Sequence, residues 1–269
     1  MDVNRFKSIL EYSEKNKENI EEHAKDLYTY IGINYDKGML NISQMIKPLF
    51  SEKNYIVIEL PLADDEIGAL CYKGDGMGYA IVNSSLPRAN VNFALCHEIY
   101  HLFYQKQKYH NGVELYLSEH YYENECEYAA NLFAGIVMMP EINFRLMFNK
   151  FNKELKPEEN VLTMVVKLMS YFQTPYMATL IRCVELGLLG GEALRALLGA
   201  SKEDVVLEFD RLWLDTSLLK PSNNDDFKRF EDIFVESGNE CVEYGFLEPK
   251  TVDKLLKSLK KSYSEIKAD

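Results

Sequence analysis

Apolar residues recur at helical intervals through the first fifty positions. In FKSILEYSEKNKENIEEHAKDLYTYIGI, Phe6, Ile9 and Leu10, then Ile20, Ala24, Leu27 and Ile31, fall three or four apart, with His23 on the same stripe. This predicts a helical segment over 1–50, closed near Pro48. The period then changes. YIVIEL (55–60), IGALCY (67–72) and GYAIVN (78–83) are short β-rich runs separated by turn residues, and KGDG (73–76) is a hairpin signal. They predict a small antiparallel sheet of about three strands, with GYAIVN last. After Pro87 the helical period returns in RANVNFALCHEIYHLFYQKQ (88–107). A polar loop around KYHNG (108–112) follows, then a second apolar helix, YENECEYAANLFAGIVMM (122–139), stopped by Pro140. Beyond it the pattern is helical throughout. Ser201 with Asp204 has the spacing of a capping box. A final helix carries Val252, Leu255, Leu256, Leu259, Tyr263 and Ile266 on one face. KPSNNDD (220–226) reads as a linker. The expected fold class is α+β and mainly helical: a helical segment at 1–50, a mixed domain at 51–190 whose sheet packs on the 88–107 helix, and an all-helical region at 191–269.

Composition narrows the function classes. The 269 residues are 47% hydrophobic and 27% charged, as in an ordinary soluble domain. No apolar run approaches the roughly 18 residues of a membrane span. The N-terminus turns charged within a few residues, so no secretory signal is expected and the chain reads as cytoplasmic. Five scattered cysteines without a CxxC pair argue against a disulfide framework and against a cysteine-based metal site. A net charge of −12 opposes direct binding of nucleic acid and favours a basic protein partner.

The candidate chemistry lies in ALCHEIYHLF (94–103). On a helix, residues four apart project from one face, so His97 and His101 can point imidazole nitrogens at a single metal ion. Glu98 lies beside that face, where it reaches a water on the metal rather than the metal itself. This is the logic of H-E-x-x-H, two ligands and a general base within one helical turn. Phe93, Ala94, Ile99, Leu102 and Phe103 pack the helix inward, and two buried histidines without a partner would be costly, which favours a ligand role. Tyr104 and Gln107 stand where the metzincin pattern requires glycine and histidine, so that subclass is excluded. A glutamate on the next helix is then the expected third ligand. The candidates are Glu123, Glu125 and Glu127. Glu127 is favoured, because Asn131 follows one turn later and Ala130 and Ala134 allow close approach. Asn131 can accept a hydrogen bond from a ligand histidine and so fix its tautomer. Glu123 and Glu125 suit the solvent side of the helix start.

The two stretches GYAIVNSSLPRANVNFALCHEIYHLF and ECEYAANLFAGIVMMP closely resemble the ImmA/IrrE metallo-endopeptidases. The matching positions are Asn83, Arg88, Phe93, His97, Glu98 and His101, then Glu127, Ala130, Asn131, Phe133, Ala134, Met139 and Pro140. LMSYFQTPYMATLIRCVELGLL (168–189) also resembles the family's downstream helix pair, so the likeness spans roughly 50–190. It implies a gluzincin-like zincin domain with Zn²⁺ held by His97, His101 and Glu127, and Glu98 as the base. It also implies cleavage of helix-turn-helix repressors that govern prophages, mobile elements or stress regulons. Two positions depart from the family pattern: Cys96 stands where alanine is usual, and Ala129 where a second acidic residue is common. Cys96 is expected to be a small packing residue.

Weaker signals complete the reading. An extended substrate often pairs with a sheet edge, and Tyr79, Ala80, Ile81 and Val82, leading straight into the metal helix, are the expected strand. Tyr79, Tyr121 and Tyr122 are candidates for stabilising the oxyanion. His110 and His120 read as solvated loop residues, and Arg88 as structural. Residues 163–187 have helix-turn-helix spacing, but the second helix carries only Arg182 as a cation, so core packing is expected there. A competing class is a metal-containing binding or sensor module that sequesters a repressor or antitoxin without cutting it.

Overall fold

The computed structural model describes residues 3–73, 77–104, 125–156 and 159–268. Among them are α1 (Val3–Tyr30), α2 (Ser43–Glu52), β1 (Tyr55–Leu60), β2 (Ala69–Lys73), β3 (Gly78–Asn83), α3 (Arg88–Phe103) and α4 (Glu125–Met138). They continue with α5 (Glu141–Lys153), α6 (Val161–Phe172), α7 (Tyr176–Glu185), α8 (Gly191–Leu198), α9 (Lys202–Arg211), α10 (Phe227–Glu243) and α11 (Pro249–Ile266). The chain is mainly helical α+β, as its periodicity predicts. No helix among the described residues is long and apolar enough to cross a membrane. Pro48 does not close the N-terminal region but sits inside α2. The carbonyl that its missing N–H would have bonded belongs to Gln44, an exposed residue that water can satisfy.

The sheet is mixed rather than antiparallel. Its order is β1-β3-β2, with β3 parallel to β1 (Tyr55↔Gly78 to Leu60↔Asn83) and antiparallel to β2 (Ala69↔Val82 to Lys73↔Gly78). The segment 61–68 carries the chain past the place that β3 later fills, and β3 returns between the other two. Burial explains the choice. Ala80, Val82 and Asn83 are at most 1% exposed, whereas Leu70 and Tyr72 on β2 are 39% and 50% exposed. Gly78 is required where β3 begins beside β1, since a Cβ there would lie 2.5 Å from the Tyr55 ring. The KGDG hairpin lies, apart from Lys73, outside the described residues.

One face of the sheet packs on α3. Ala80 and Val82 share a core with Leu95, Cys96 and Ile99, while Tyr79 and Ile81 alternate to the other face and meet Phe227 and Phe230. The α1 helix covers α4: Tyr28 Oη donates to the Val137 carbonyl at 2.9 Å, and Ala24 and Leu27 are fully buried. His23, on the apolar stripe of α1, stacks on Tyr104. Both α6 and α7 bury broad apolar faces, so the helix-turn-helix spacing serves the core.

The expected linker at 220–226 is hydrogen-bonded along its length. Arg88 N–H donates to Lys220 O, Asn223 N–H to Ser84 O, and Asp226 N–H to Glu59 O at 2.8 Å, while Asp226 Oδ2 accepts from Glu59 N–H. At the chain's other end Ala268 N–H donates to Pro61 O. The C-terminal region thereby covers the Glu59 end of the outer edge of β1. Within the described residues no segment pairs with the outer edge of β2.

The turn from β3 into α3 depends on Asn83. Its Oδ1 accepts from the Leu62 and Ser85 amides at 3.1 Å, and its Nδ2 donates to the Asp64 and Ile67 carbonyls at 2.9 Å. The side chain is fully buried, so without these partners its amide group would be left unsatisfied and away from water. Asn83→Ala is expected to lower the unfolding free energy by roughly 3 kcal/mol, read from urea denaturation.

Candidate active site

Helix α3 is apolar on nearly all sides, because it is packed by α4, α2 and the sheet. Its polar residues are therefore held in place by the core around them. Pro87 sits at its start, and Arg88 is tied to the C-terminal region, its Nη1 donating to Ser217 Oγ at 3.1 Å. That is the structural role expected of Arg88. Alongside runs α4, with Ala130 and Ala134 buried on the same face as Glu127. Small side chains at these positions let the two helices approach, and Glu127 is carried to the imidazoles of α3.

The three donor groups converge. His97 Nε2 lies 3.0 Å from His101 Nε2 and 3.1 Å from Glu127 Oε2, and His101 Nε2 lies 3.4 Å from Glu127 Oε1. Tetrahedral ligands with bonds of about 2.1 Å stand roughly 3.4 Å apart, so the triangle has the size of one face of a metal coordination tetrahedron. On the far side of the His97 ring, Nδ1 lies 3.0 Å from Asn131 Oδ1. A carboxamide oxygen only accepts, so Nδ1 carries a proton, and in the neutral ring that a metal would bind Nε2 presents a lone pair to the centre of the triangle. The side chains of His97, His101 and Glu127 are 14%, 10% and 18% exposed, so the centre is reached from solvent on one side. Among the described residues this is the one group of three His, Cys, Asp or Glu side chains that could close on a metal ion. Two neutral nitrogens and a carboxylate fit a divalent cation.

Electrostatics separate the two glutamates. Burial raises the Glu127 carboxyl, but hydrogen bonds and charge from His101 and His97 outweigh it and hold it at about 2. Burial dominates at Glu98, 8% exposed, and pushes its carboxyl above the ordinary value; His97, His101 and the Cys71 thiol oppose this, and Glu127 adds to it. Glu98 thus stays outside the ligand triangle as a buried carboxyl with raised proton affinity, while Glu127 is the ionised partner of both histidines.

Other expectations divide. Glu125 is exposed at the start of α4. Glu123, His110, His120, Tyr121 and Tyr122 lie outside the described residues. Cys96 is fully buried in the core, where burial raises its thiol, and it is not part of the ligand group. Tyr79, Ala80, Ile81 and Val82 cannot receive an added strand, because β3 occupies the centre of the sheet and pairs on both sides. The free edge is β2. Tyr79 also faces away from α3, its ring 5.4 Å from that of Phe230, which removes it as an oxyanion donor. Cys71 gave no signal in the sequence. It pairs with Ala80, which places it on the α3 side of β2, beside Glu98. Only the strand order, a non-local property, reveals it.

The family model described as the IrrE N-terminal-like domain, Peptidase_M78, matches residues 51–184, the stretch that contains the sheet, α3, α4 and the ligand triangle. No curated protein matches the chain.

A carboxyl held below its unfolded value stabilises the fold above that value and loses the contribution as pH falls. Metal-free protein is therefore expected to lose up to about 3 kcal/mol between pH 4.5 and about 2 through Glu127. Glu127→Gln should flatten that part of the stability profile, as measured by urea unfolding across the range.

Proposed function

The chain belongs, through residues 51–184, to the IrrE N-terminal-like peptidase family, and from that premise we propose a zinc-dependent endopeptidase that cuts a helix-turn-helix repressor and relieves repression. The family makes it a peptidase of the metal-dependent type. The observation that carries the finer reading is the triangle of His97, His101 and Glu127 donors at 3.0–3.4 Å with the buried carboxyl of Glu98 beside it. Two imidazoles and one carboxylate with an open side suit zinc.

When bound, zinc would polarise the scissile carbonyl and acidify a water. The protein's own groups do the rest. Asn131 holds His97 in the tautomer that leaves Nε2 unprotonated. Glu127 supplies the negative charge. Glu98 takes a proton from the attacking water and passes it to the amine nitrogen of the leaving peptide, a role suited to a carboxyl whose proton affinity is raised. An extended substrate would add to the free edge of β2, beside Cys71 and the α3 N-terminal half, rather than to β3.

The substrate class rests on the resemblance of the two motif stretches to the ImmA/IrrE peptidases. A chain of net charge −12 is also matched to a DNA-binding protein's basic surface. His97→Ala is expected to lose the bound zinc, read by elemental analysis of purified protein. Glu98→Gln should keep the zinc and slow repressor cleavage by about 10²–10⁴-fold, followed as fragments on a denaturing gel. Undiminished cleavage by the glutamine variant would remove Glu98 as the base. Repressor bound but uncut by either protein would favour the sequestering module instead.

A further inference from the structure

Helix α9 carries apolar residues on two faces. Val205 and Phe209 turn inward, 7% and 0% exposed, and join the core. Val206 and Leu207 turn outward, 41% and 66% exposed. Glu203 lies one turn before them and Asp210 one turn after, on the same side of the helix. The Ser201–Asp204 capping box fixes the start of this helix. A Schellman-type turn ends it: Leu214 N–H donates to Phe209 O at 3.0 Å, and Trp213 N–H to Asp210 O at 3.1 Å. The left-handed position of that turn, where glycine is usual, holds Trp213 at φ 56°. Such a backbone is unfavourable for a bulky residue, and no packing offsets it, since the side chain is 95% exposed. The fold therefore makes no use of the second apolar stripe of α9.

The rim of this stripe is acidic. Arg211 is committed to Glu159 and Glu208, and neither Glu203 nor Asp210 forms an ion pair among the described residues. Lys202 stands at the lip of a shallow depression whose other walls are Glu203, Val206 and Leu207. We propose that this face docks a basic amphipathic helix of a partner protein. Its apolar side would cover Val206, Leu207 and Trp213, and its lysines or arginines would meet Glu203 and Asp210. Trp213, almost fully exposed at the end of the same helix, is the kind of anchor that dominates binding energy once covered. A second copy of the chain suits the face poorly, because a two-fold contact would bring the carboxylates of both copies together. The inference is independent of the metal site.

Trp213 is the chain's single tryptophan, so its fluorescence reports the end of α9 next to this stripe. Titrating the full chain with a synthetic leucine–lysine amphipathic helix is expected to shift the emission to the blue; the leucine–glutamate counterpart should not. The double variant Glu203→Lys/Asp210→Lys should lose the response, and Leu207→Glu should weaken binding by roughly tenfold or more, with circular dichroism confirming that both remain folded. Emission that does not move, an equal response to the two peptides, or an undiminished response in the double variant would overturn the proposal. Trp213→Gly supplies an independent check. It should unfold at an unchanged or higher temperature, and a marked fall would assign the residue to the fold and refute the docking role.

Discussion

The close packing of α3 against α4 is the contact on which the rest of the site depends. Imidazoles four residues apart on α3 share a face whatever surrounds them, but a third donor reaches them only if another helix approaches closely. Ala130 and Ala134, on the face of Glu127 and both fully buried, make that approach possible. Ala129, 4% exposed, faces the core on the other side of the helix. Larger side chains along the α3–α4 seam would push Glu127 away from both nitrogens. The same packing brings Asn131 against the outer nitrogen of His97, so one helix supplies both a donor of the triangle and the group that holds the His97 ring. Metal-site geometry and hydrophobic packing are here a single requirement.

Burial around α3 also gives its two neighbouring carboxyls opposite characters. Glu127 is drawn down by the histidines, while Glu98, one residue after the first ligand, is pushed up because the core dominates over the same histidines. An ionised ligand and a proton-accepting base both require this separation. It arises from position alone: Glu127 lies in the donor triangle, and Glu98 turns toward β2 and Cys71. The Asn83 network matters for the same reason, because it sets the turn by which β3 delivers the chain into α3 beneath the sheet.

Local features were legible in the sequence. The i, i+4 pair His97 and His101 and the flanking Glu98 follow from helical geometry within one turn. Glu127 with Asn131 could be picked out because small residues and the same spacing recur on the next helix. The capping box at Ser201 rests on four consecutive residues. Pairing order escaped, because alternation in GYAIVN predicts a strand but not its neighbours, and a parallel partner twenty residues away leaves no local mark. The stretch 220–226 has the polar composition of a linker. Its side chains and amides instead satisfy the edge of β1, and composition does not distinguish polar groups facing water from polar groups facing a strand. Cys71 escaped for the same reason, since its place beside Glu98 follows from register with Ala80.

Strand order then decides how a substrate could approach. Parallel pairing of β1 with β3 puts β1 on the far edge of the sheet, and there Asp226 of the C-terminal region takes up both backbone groups of Glu59. The edge left without a partner is β2, the strand whose Cys71 lies beside Glu98. An open strand edge is a hazard that proteins usually blunt or cover, and here one edge is partly covered while the edge next to the metal triangle is not. The C-terminal region, which carries no motif of its own, thus contributes to the site from a distance. By covering part of the β1 edge it leaves, among the described residues, the β2 edge as the open one, beside Glu98. The outward stripe of α9 lies in the same region, so residues beyond the peptidase motif both shape access to the sheet and offer a surface for a basic partner.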